Sequence, residues 1–484
     1  MRKKLTHKLK NLKFYETIKH GSVYSFSFII VQFISLVSLP IYTKLLQPKD
    51  FGIYEVFNHI VRIAALILPL NLATGFYRYY FDEHVDKTKL LQYTFRMSLY
   101  GLTIGLLVFF IFRKFIFAKL NLPDNLFLWI ALGIISYTIV NIFNTYNNII
   151  LASKRQAIWQ IVFQLAKVIA SVVLIYYFFK NYEGRIIGET GITFILAILI
   201  FILYFRNYIS LKGKPYQHRE IFKYALSFIP IGLSGYLLGF IDTVMINAYK
   251  GNNDAGLYSY AYKIAIIYSG ISVSFITANR PKLFQLLNDN KPKEIVGQMR
   301  SIFKLIVAMS ALFIYFAQFG GEILTLNDNF NASLYLLPLL VLGYVFSDIN
   351  EVFIFYYHFK KKVKYFYYNF AFSALLNIGL NIVLIPKFGY AAAAYTTLIS
   401  YAVMCLITYI TCKFALKVTV PAIINFIDYG LIVLFVFVSN YALNFYIPNI
   451  WLQLSIKGVI YGLILLYLWR NLITAMLNKS TNQS

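Results

Sequence analysis

Charged and amide side chains recur at helical spacing inside stretches that are otherwise apolar. Glu55, His59 and Arg62 stand at i, i+4 and i+7, on one face of a helix. Tyr137, Asn141, Asn144 and Asn148 make a second such face, and Gln160, Gln164, Lys167 and Ser171 a third. Tyr344, Asp348, Glu351 and His358 make a fourth, and Asn369, Ser373, Asn377 and Asn381 a fifth. Asp242 and Lys263 lie deep in two further apolar stretches. The cations suit phosphate, which a guanidinium can grip with two parallel hydrogen bonds. Amides and aromatic faces suit sugars, whose hydroxyls need donors and acceptors and whose C–H faces pack on rings. The carboxylates Asp242, Asp348, Glu351 and Glu55 suit a coupling ion, H+ or Na+, or structural pairing with a base.

Catalytic signals are poor. The chain has no G-x-x-x-x-G-K-[ST] phosphate loop. No His/Cys set has zinc spacing. The two cysteines, Cys405 and Cys412, lie seven residues apart on one helix and make neither a disulfide framework nor a metal site. We expect no catalytic residue, no metal site and no cofactor, and so not an enzyme.

The elements that must position these side chains are membrane helices. Of the 484 residues 59% are hydrophobic, 19% aromatic and only 13% charged, with a mean hydropathy of +0.65. A soluble domain carries about 25% charged residues. A spanning helix needs about 20 apolar residues, and only helices or closed barrels satisfy their backbone in lipid. Fourteen such stretches recur from about Gly21 to about Leu477, too long and too evenly apolar for barrel strands. The expected fold class is an all-α polytopic membrane protein. The apolar run after the basic N-terminus continues to Pro40 without a small-residue cleavage site, so it reads as a retained first helix.

The net charge of +26 follows from topology rather than from nucleic-acid binding. With the N-terminus in the cytoplasm, the inner segments hold 32 Lys and Arg against 9 in the outer gaps, which selects both termini inside. The inner basic loops can also touch anionic membrane lipids. No gap reaches 30 residues, too short for a folded soluble domain.

The chain repeats itself. Asp50-Phe51-Gly52-Ile53-Tyr54 after the first helix is matched 204 residues later by Asp254-Ala255-Gly256-Leu257-Tyr258 after the seventh. Gly184-Arg185-Ile186-Ile187-Gly188 at the sixth is matched 205 residues later by Gly389-Tyr390-Ala391-Ala392-Ala393 at the twelfth. Two matches at nearly one offset predict two six-helix halves of one orientation, with a site between them and alternating access. The expected organisation is a basic N-terminal tail (1–20), an N-terminal lobe (21–205), a cytoplasmic linker (206–220), a C-terminal lobe (221–412), and two further helices with a short tail (413–484).

A charge at membrane depth costs about 2.5–3.5 kcal/mol, so it faces a wet cavity or a partner. For a single Asn or Ser, interhelical hydrogen bonding is the simpler explanation. Arg62 and Lys167, near mid-span, favour the cavity, whereas Glu55, Arg78 and Arg280 lie near span ends and can reach water. Candidate substrate contacts are Arg62, Arg78, Asn141, Asn144, Gln164, Lys167, Lys263 and Asn377.

Several motifs resemble a known family. Leu39-Pro40-Ile41-Tyr42-Thr43-Lys44-Leu45-Leu46 with Asp50-Phe51-Gly52-Ile53-Tyr54 resembles the opening of bacterial polysaccharide-biosynthesis flippases, the O-antigen and oligosaccharide flippase family. Gly75-Phe76-Tyr77-Arg78-Tyr79-Tyr80, Ile241-Asp242, Ala255-Gly256-Leu257-Tyr258-Ser259-Tyr260-Ala261-Tyr262-Lys263-Ile264 and Lys387-Phe388-Gly389-Tyr390-Ala391-Ala392-Ala393-Ala394 resemble its later signatures. Of the candidate residues only Arg78, Asp242 and Lys263 sit in such motifs; Arg62 and Lys167 rest on helical spacing. The resemblance implies a fold like that of multidrug and toxin extrusion (MATE) exporters, within the superfamily (MOP) they share with lipid II flippases: two six-helix lobes plus two C-terminal helices. It implies flipping of undecaprenyl-pyrophosphate-linked oligosaccharide, an O-antigen, capsule or exopolysaccharide unit, across the bacterial cytoplasmic membrane. Partners would be that lipid-linked oligosaccharide, membrane lipids, H+ or Na+, and glycan polymerase machinery. The alternatives are a drug exporter, a lipid II flippase, or a membrane-embedded polysaccharide polymerase or ligase.

Overall fold

The computed structural model describes Val23 and residues 26–208, 219–417 and 426–481. The basic tail 1–20, most of the linker 206–220 and parts of the segment 413–484 lie outside the described residues. Every regular element among the described residues is helical. Among the described residues thirteen helices are long and apolar enough to cross a membrane, and one bent pair, taken as one span, brings the total to fourteen. The fourteen stretches expected from hydropathy are therefore present, one of them in two pieces.

The broken helix is the second. α1 (Phe26–Leu45) leads into α2 (Pro48–Ile67), and α3 (Leu72–Tyr79) follows at 47°. Pro69 supplies no amide hydrogen, and Leu70 and Asn71 take positive φ of 59° and 48°. The hydropathy window runs across this joint because its residues are apolar, so the break is invisible to it. Arg78 lies beyond the joint.

The chain forms two compact units. The first holds Met1–Gly256 with Thr325–Asn329, and the second Leu257–Leu324 with Phe330–Ser484. The first unit contains α1 to α3, α4 (Lys87–Lys119), α5 (Phe127–Ile149), α6 (Ser153–Tyr177), α7 (Tyr182–Ile200), α8 (Arg219–Ser227) and α9 (Ile229–Lys250). By packing, therefore, α9 goes with the first unit, where it lies along α2. The start of α10 (Asn252–Asn288) is also in this unit. The second unit holds the rest of α10 with α11 (Pro292–Leu324), α12 (Leu337–Phe359), α13 (Lys364–Phe388), α14 (Ala391–Ile410), α15 (Ile427–Tyr446) and α16 (Ile450–Thr481).

Within the first unit α7 packs on both α5 and α6, and α2 on α5 and α9. Gly188 decides how close α6 comes: a methyl there would meet the Ser171 amide nitrogen at 2.7 Å. Small residues let helix backbones approach, which is how helices associate in lipid without a hydrophobic drive. A cluster around Phe76, Phe143, Ile200, Phe205 and Ile221 fills one end of this unit. Within the second, α12 and α13 pack on α14, while α11 carries α12, α15 and α16. Large apolar side chains such as Ile111, Phe115 and Phe445 remain exposed on α4 and α15, as lipid-facing surfaces require.

Candidate functional site

The strongest polar constellation in the first unit is built on α7. Arg185 and Glu189 stand one helical turn apart, and Arg185 donates from Nε to Glu189 at 3.1 Å. Tyr54 on α2 donates to the other Glu189 oxygen at 2.6 Å, and Tyr42 on α1 reaches the first at 3.3 Å. The Tyr42 hydroxyl also pairs with Ser171 of α6 at 2.6 Å, a contact that the close α6–α7 packing permits. Glu55 of α2 lies 3.8 Å from the Arg185 guanidinium. The Tyr42 and Tyr54 rings cover the same guanidinium, with centroids at 4.0 and 3.6 Å. Arg185 is 4% exposed and Glu55 3%. One guanidinium and one carboxylate are thus withdrawn from solvent together, with the half-buried Glu189 beside them. Desolvating an ion costs several kcal/mol, which only close partners and rings can offset.

This cluster contains Glu55, which was expected to couple an ion or pair structurally. It also contains residues that the spacing argument passed over: Tyr42, Tyr54, Arg185 and Glu189. The i, i+4 spacing of Arg185 and Glu189 was the available signal. It was obscured because Arg185 stands just before the apolar stretch, whereas the helix begins earlier, at Tyr182.

Arg62, two turns along α2 from Glu55, has a different setting. It is exposed, and its Nε donates to Asn58 at 3.4 Å. His59 beside it bonds the Tyr236 hydroxyl of α9 at 2.7 Å. Tyr236 in turn lies within electrostatic reach of Arg62 and of Tyr137 on α5. Arg62 and Tyr137 are exposed and Tyr236 half-buried, whereas His59 is buried beneath them, and the Glu55 carboxylate also acts on Tyr236. Asn141 and Asn144, both half-buried, continue along α5 from Tyr137. Lys167 is half-buried on α6.

Other candidates serve helix seams. Gln164 donates to Ser35 at 2.9 Å, and Ser27 donates to Gln160 at 3.3 Å, so this stripe zips α6 to α1. Arg78 is exposed and pairs with Asp82, just past the end of α3, at 2.9 Å. Asp242 is 2% exposed on α9.

In the second unit Asn377, fully buried, accepts from Asn381 at 3.1 Å and contacts Thr397 at 3.5 Å. Asn381 accepts from Thr396 at 2.5 Å. This amide–hydroxyl chain joins α13 to α14. Asp348 of α12, also fully buried, accepts from Ser272 of α10 at 2.9 Å, with Tyr268 beside it. One turn on, Glu351 pairs with Arg280 at 2.5 Å. Lys263 is half-buried on α10. Among the described residues no group of three His, Cys, Asp or Glu side chains is arranged to hold a metal ion.

Comparison with known proteins gives the same architecture. The family described as "Polysaccharide biosynthesis protein" matches residues 18–287. The structure is similar to lipid II flippase MurJ in an inward closed conformation, with TM-score 0.68 and 16% identity over 93% of this chain and 99% of that one. It is also similar to an inward-facing multidrug-resistance MATE transporter of the MOP superfamily, with TM-score 0.59 and 14% identity over 80% of this chain and 94% of the other. An outward-facing MATE transporter of that superfamily gives 0.54 and 12% over 82% and 96%. No curated protein matches the chain. The fold is thus MurJ- and MATE-like, as the resemblance implied.

Proposed function

The chain belongs to the polysaccharide biosynthesis protein family, and on that premise we propose that it flips a polyprenyl-pyrophosphate-linked oligosaccharide across the cytoplasmic membrane. The cargo would be an O-antigen, capsule or exopolysaccharide unit. The halves 21–205 and 221–412 would alternate access to it, with both termini in the cytoplasm. Arg62, Lys167 and Lys263 hold the pyrophosphate in this reading, Arg78 assists near a span end, and the Asn and Tyr stripes meet the sugars. Asp242, Asp348, Glu351 or Glu55 couples the movement to H+ or Na+, and polymerase machinery takes the delivered unit.

The observation that carries this reading is Arg62. A guanidinium inside a spanning helix is exposed, one turn from the buried His59–Tyr236 hydrogen bond and within electrostatic reach of Tyr236. Facing lipid tails it would be costly, so such a surface is expected to be wet. A hydrated cationic and aromatic surface replaces the water that a charged, sugar-bearing headgroup must give up. In cells, Arg62→Ala and Lys167→Ala are each expected to abolish surface glycan while the protein stays in the membrane. Normal glycan from both variants would reject the assignment.

A lipid II flippase is the second reading, favoured by the likeness to MurJ over nearly the whole chain. Rescue of cell-wall synthesis in cells lacking their own flippase would select it. Drug resistance without a glycan defect would point to an exporter. Extension of labelled glycan by the purified protein would point to a polymerase or ligase.

A further inference from the structure

α15 and α16 stand outside the repeat, and both pack on α11 within the second unit. Lipid gives helices no hydrophobic drive to associate, so close packing and polar contacts must hold them. A chain of polar contacts runs through this seam. Lys457, seven residues into α16 and 4% exposed, donates to Asn444 of α15 at 2.7 Å. Asn444 donates to Gln318 of α11 at 3.4 Å, and Gln318 donates to Glu322 of the same helix at 3.4 Å. Every donor points the same way, from the ammonium through two amides to the carboxylate. Glu322 lies within electrostatic reach of Lys457. An ion pair bridged by side-chain amides thus joins the three helices.

Asn440 stands one turn back along α15 from Asn444, on the same face, and is 1% exposed. Among the described residues neither its amide nitrogen nor its carbonyl oxygen has a hydrogen-bond partner. Its neighbour Ser439 pairs with the Tyr315 hydroxyl of α11 at 2.7 Å, so this level of the seam is polar on both sides. Of the three N–H groups of Lys457, the bond to Asn444 uses one. An unmet amide at membrane depth is costly, because lipid offers no substitute for water. The chemistry of the amide says what satisfies it. Its oxygen asks for a donor and its nitrogen for an acceptor. An anion cannot donate, and a bare cation cannot accept. Lys457 is already balanced through Glu322, so the occupant is neutral. Water meets all of these demands.

We propose that the seam of α11, α15 and α16 encloses a water-binding site between Asn440 and the Lys457 ammonium, and that this hydrated ladder docks the C-terminal helix pair. Bound water completes the Asn440 amide and gives Lys457 further acceptors, so the charge stays at membrane depth without reaching the surface. The site is independent of what the protein carries, and it stands or falls apart from the flippase reading.

The test is millisecond hydroxyl-radical footprinting of the full chain in lipid nanodiscs, read by mass spectrometry. Radicals from bulk solvent mark exposed side chains, whereas bound water is radiolysed in place and marks its neighbours. Tyr315, 1% exposed and bonded to the residue before Asn440, is the reporter. Tyr260, 0% exposed with its hydroxyl given to the Gly321 carbonyl at 2.9 Å, is the dry control. Tyr315 is expected to be modified about tenfold faster than Tyr260. Equal rates overturn the proposal. Asn440→Leu puts an apolar side chain of similar size in the site and is expected to bring Tyr315 down to the control rate. A Tyr315 rate unchanged by it overturns the assignment to Asn440. If that variant does not accumulate, the ratio in the parent decides alone. Docking is read by thermal unfolding of Lys457→Met, Glu322→Gln and the two combined. The combined loss is expected to fall short of the sum of the single losses, and additive losses overturn the bridge.

Discussion

Arg185, buried, and Glu189, half-buried, form an ion pair one helical turn apart on α7, with the Tyr54 hydroxyl holding the second carboxylate oxygen at 2.6 Å. Glu55 stands on the other side of the guanidinium, and the Tyr42 and Tyr54 rings cover it. Removing the guanidinium of this group leaves the buried Glu55 carboxylate, and the half-buried Glu189, without their counter-charge. Arg185→Met is therefore expected to lower stability by about 3–5 kcal/mol. Arg185→Met with Glu189→Leu should recover part of that loss, a coupling that a double-mutant cycle measures. Thermal unfolding of the protein in detergent reads both; equal and additive losses would refute the pairing.

Arg62 predicts the opposite pattern. Its exposed contact with Asn58 contributes at most about 1 kcal/mol, so Arg62→Ala should unfold at the parent's temperature. Surface glycan should nevertheless disappear, and Arg62→Lys should restore only part, because an ammonium lacks the planar two-donor fork. A fall in membrane abundance matching the loss of glycan would make Arg62 structural.

Asn381 accepts from Thr396 while donating to Asn377, all three being fully buried. Asn381→Leu strands the Asn377 carbonyl oxygen, while the Thr396 hydroxyl keeps the Ala393 carbonyl at 2.9 Å, and should cost about 1–3 kcal/mol. If these amides only join α13 to α14, glycan export per molecule present in the membrane stays at the parent's level. If they bind cargo or ion, that ratio falls, and quantitative blotting beside glycan measurement separates the two.

Asp348→Asn keeps the shape of the side chain and its hydrogen bond from Ser272. Should Asp348 couple transport to an ion, export by this variant in vesicles becomes insensitive to an imposed H+ or Na+ gradient. Glu351→Gln removes only the carboxylate charge paired with Arg280, and is expected to leave gradient dependence in place. Retained gradient dependence in Asp348→Asn would exclude Asp348 from coupling.

Hydropathy, spacing and motif order carry much of this protein's architecture. The number of spans, the all-helical class, the family motifs and the repeat all follow from local rules: an apolar run of given length must be a helix in lipid. Other features depended on which helices touch. Spacing groups Glu55 with Arg62 on one face, yet Glu55 turns out to face Arg185, 130 residues on, because α2 meets α7 there. Likewise Gln164 appears as a lumen residue in the sequence, and becomes a seam contact only once α1 is beside it. The two copies of the Asp-x-Gly-x-Tyr motif announce a duplication, but not that their glycines, Gly52 and Gly256, meet where α2 crosses the start of α10. Helical periodicity records which side chains share a face; what that face meets is set by long-range packing, and only the tertiary structure carries that information.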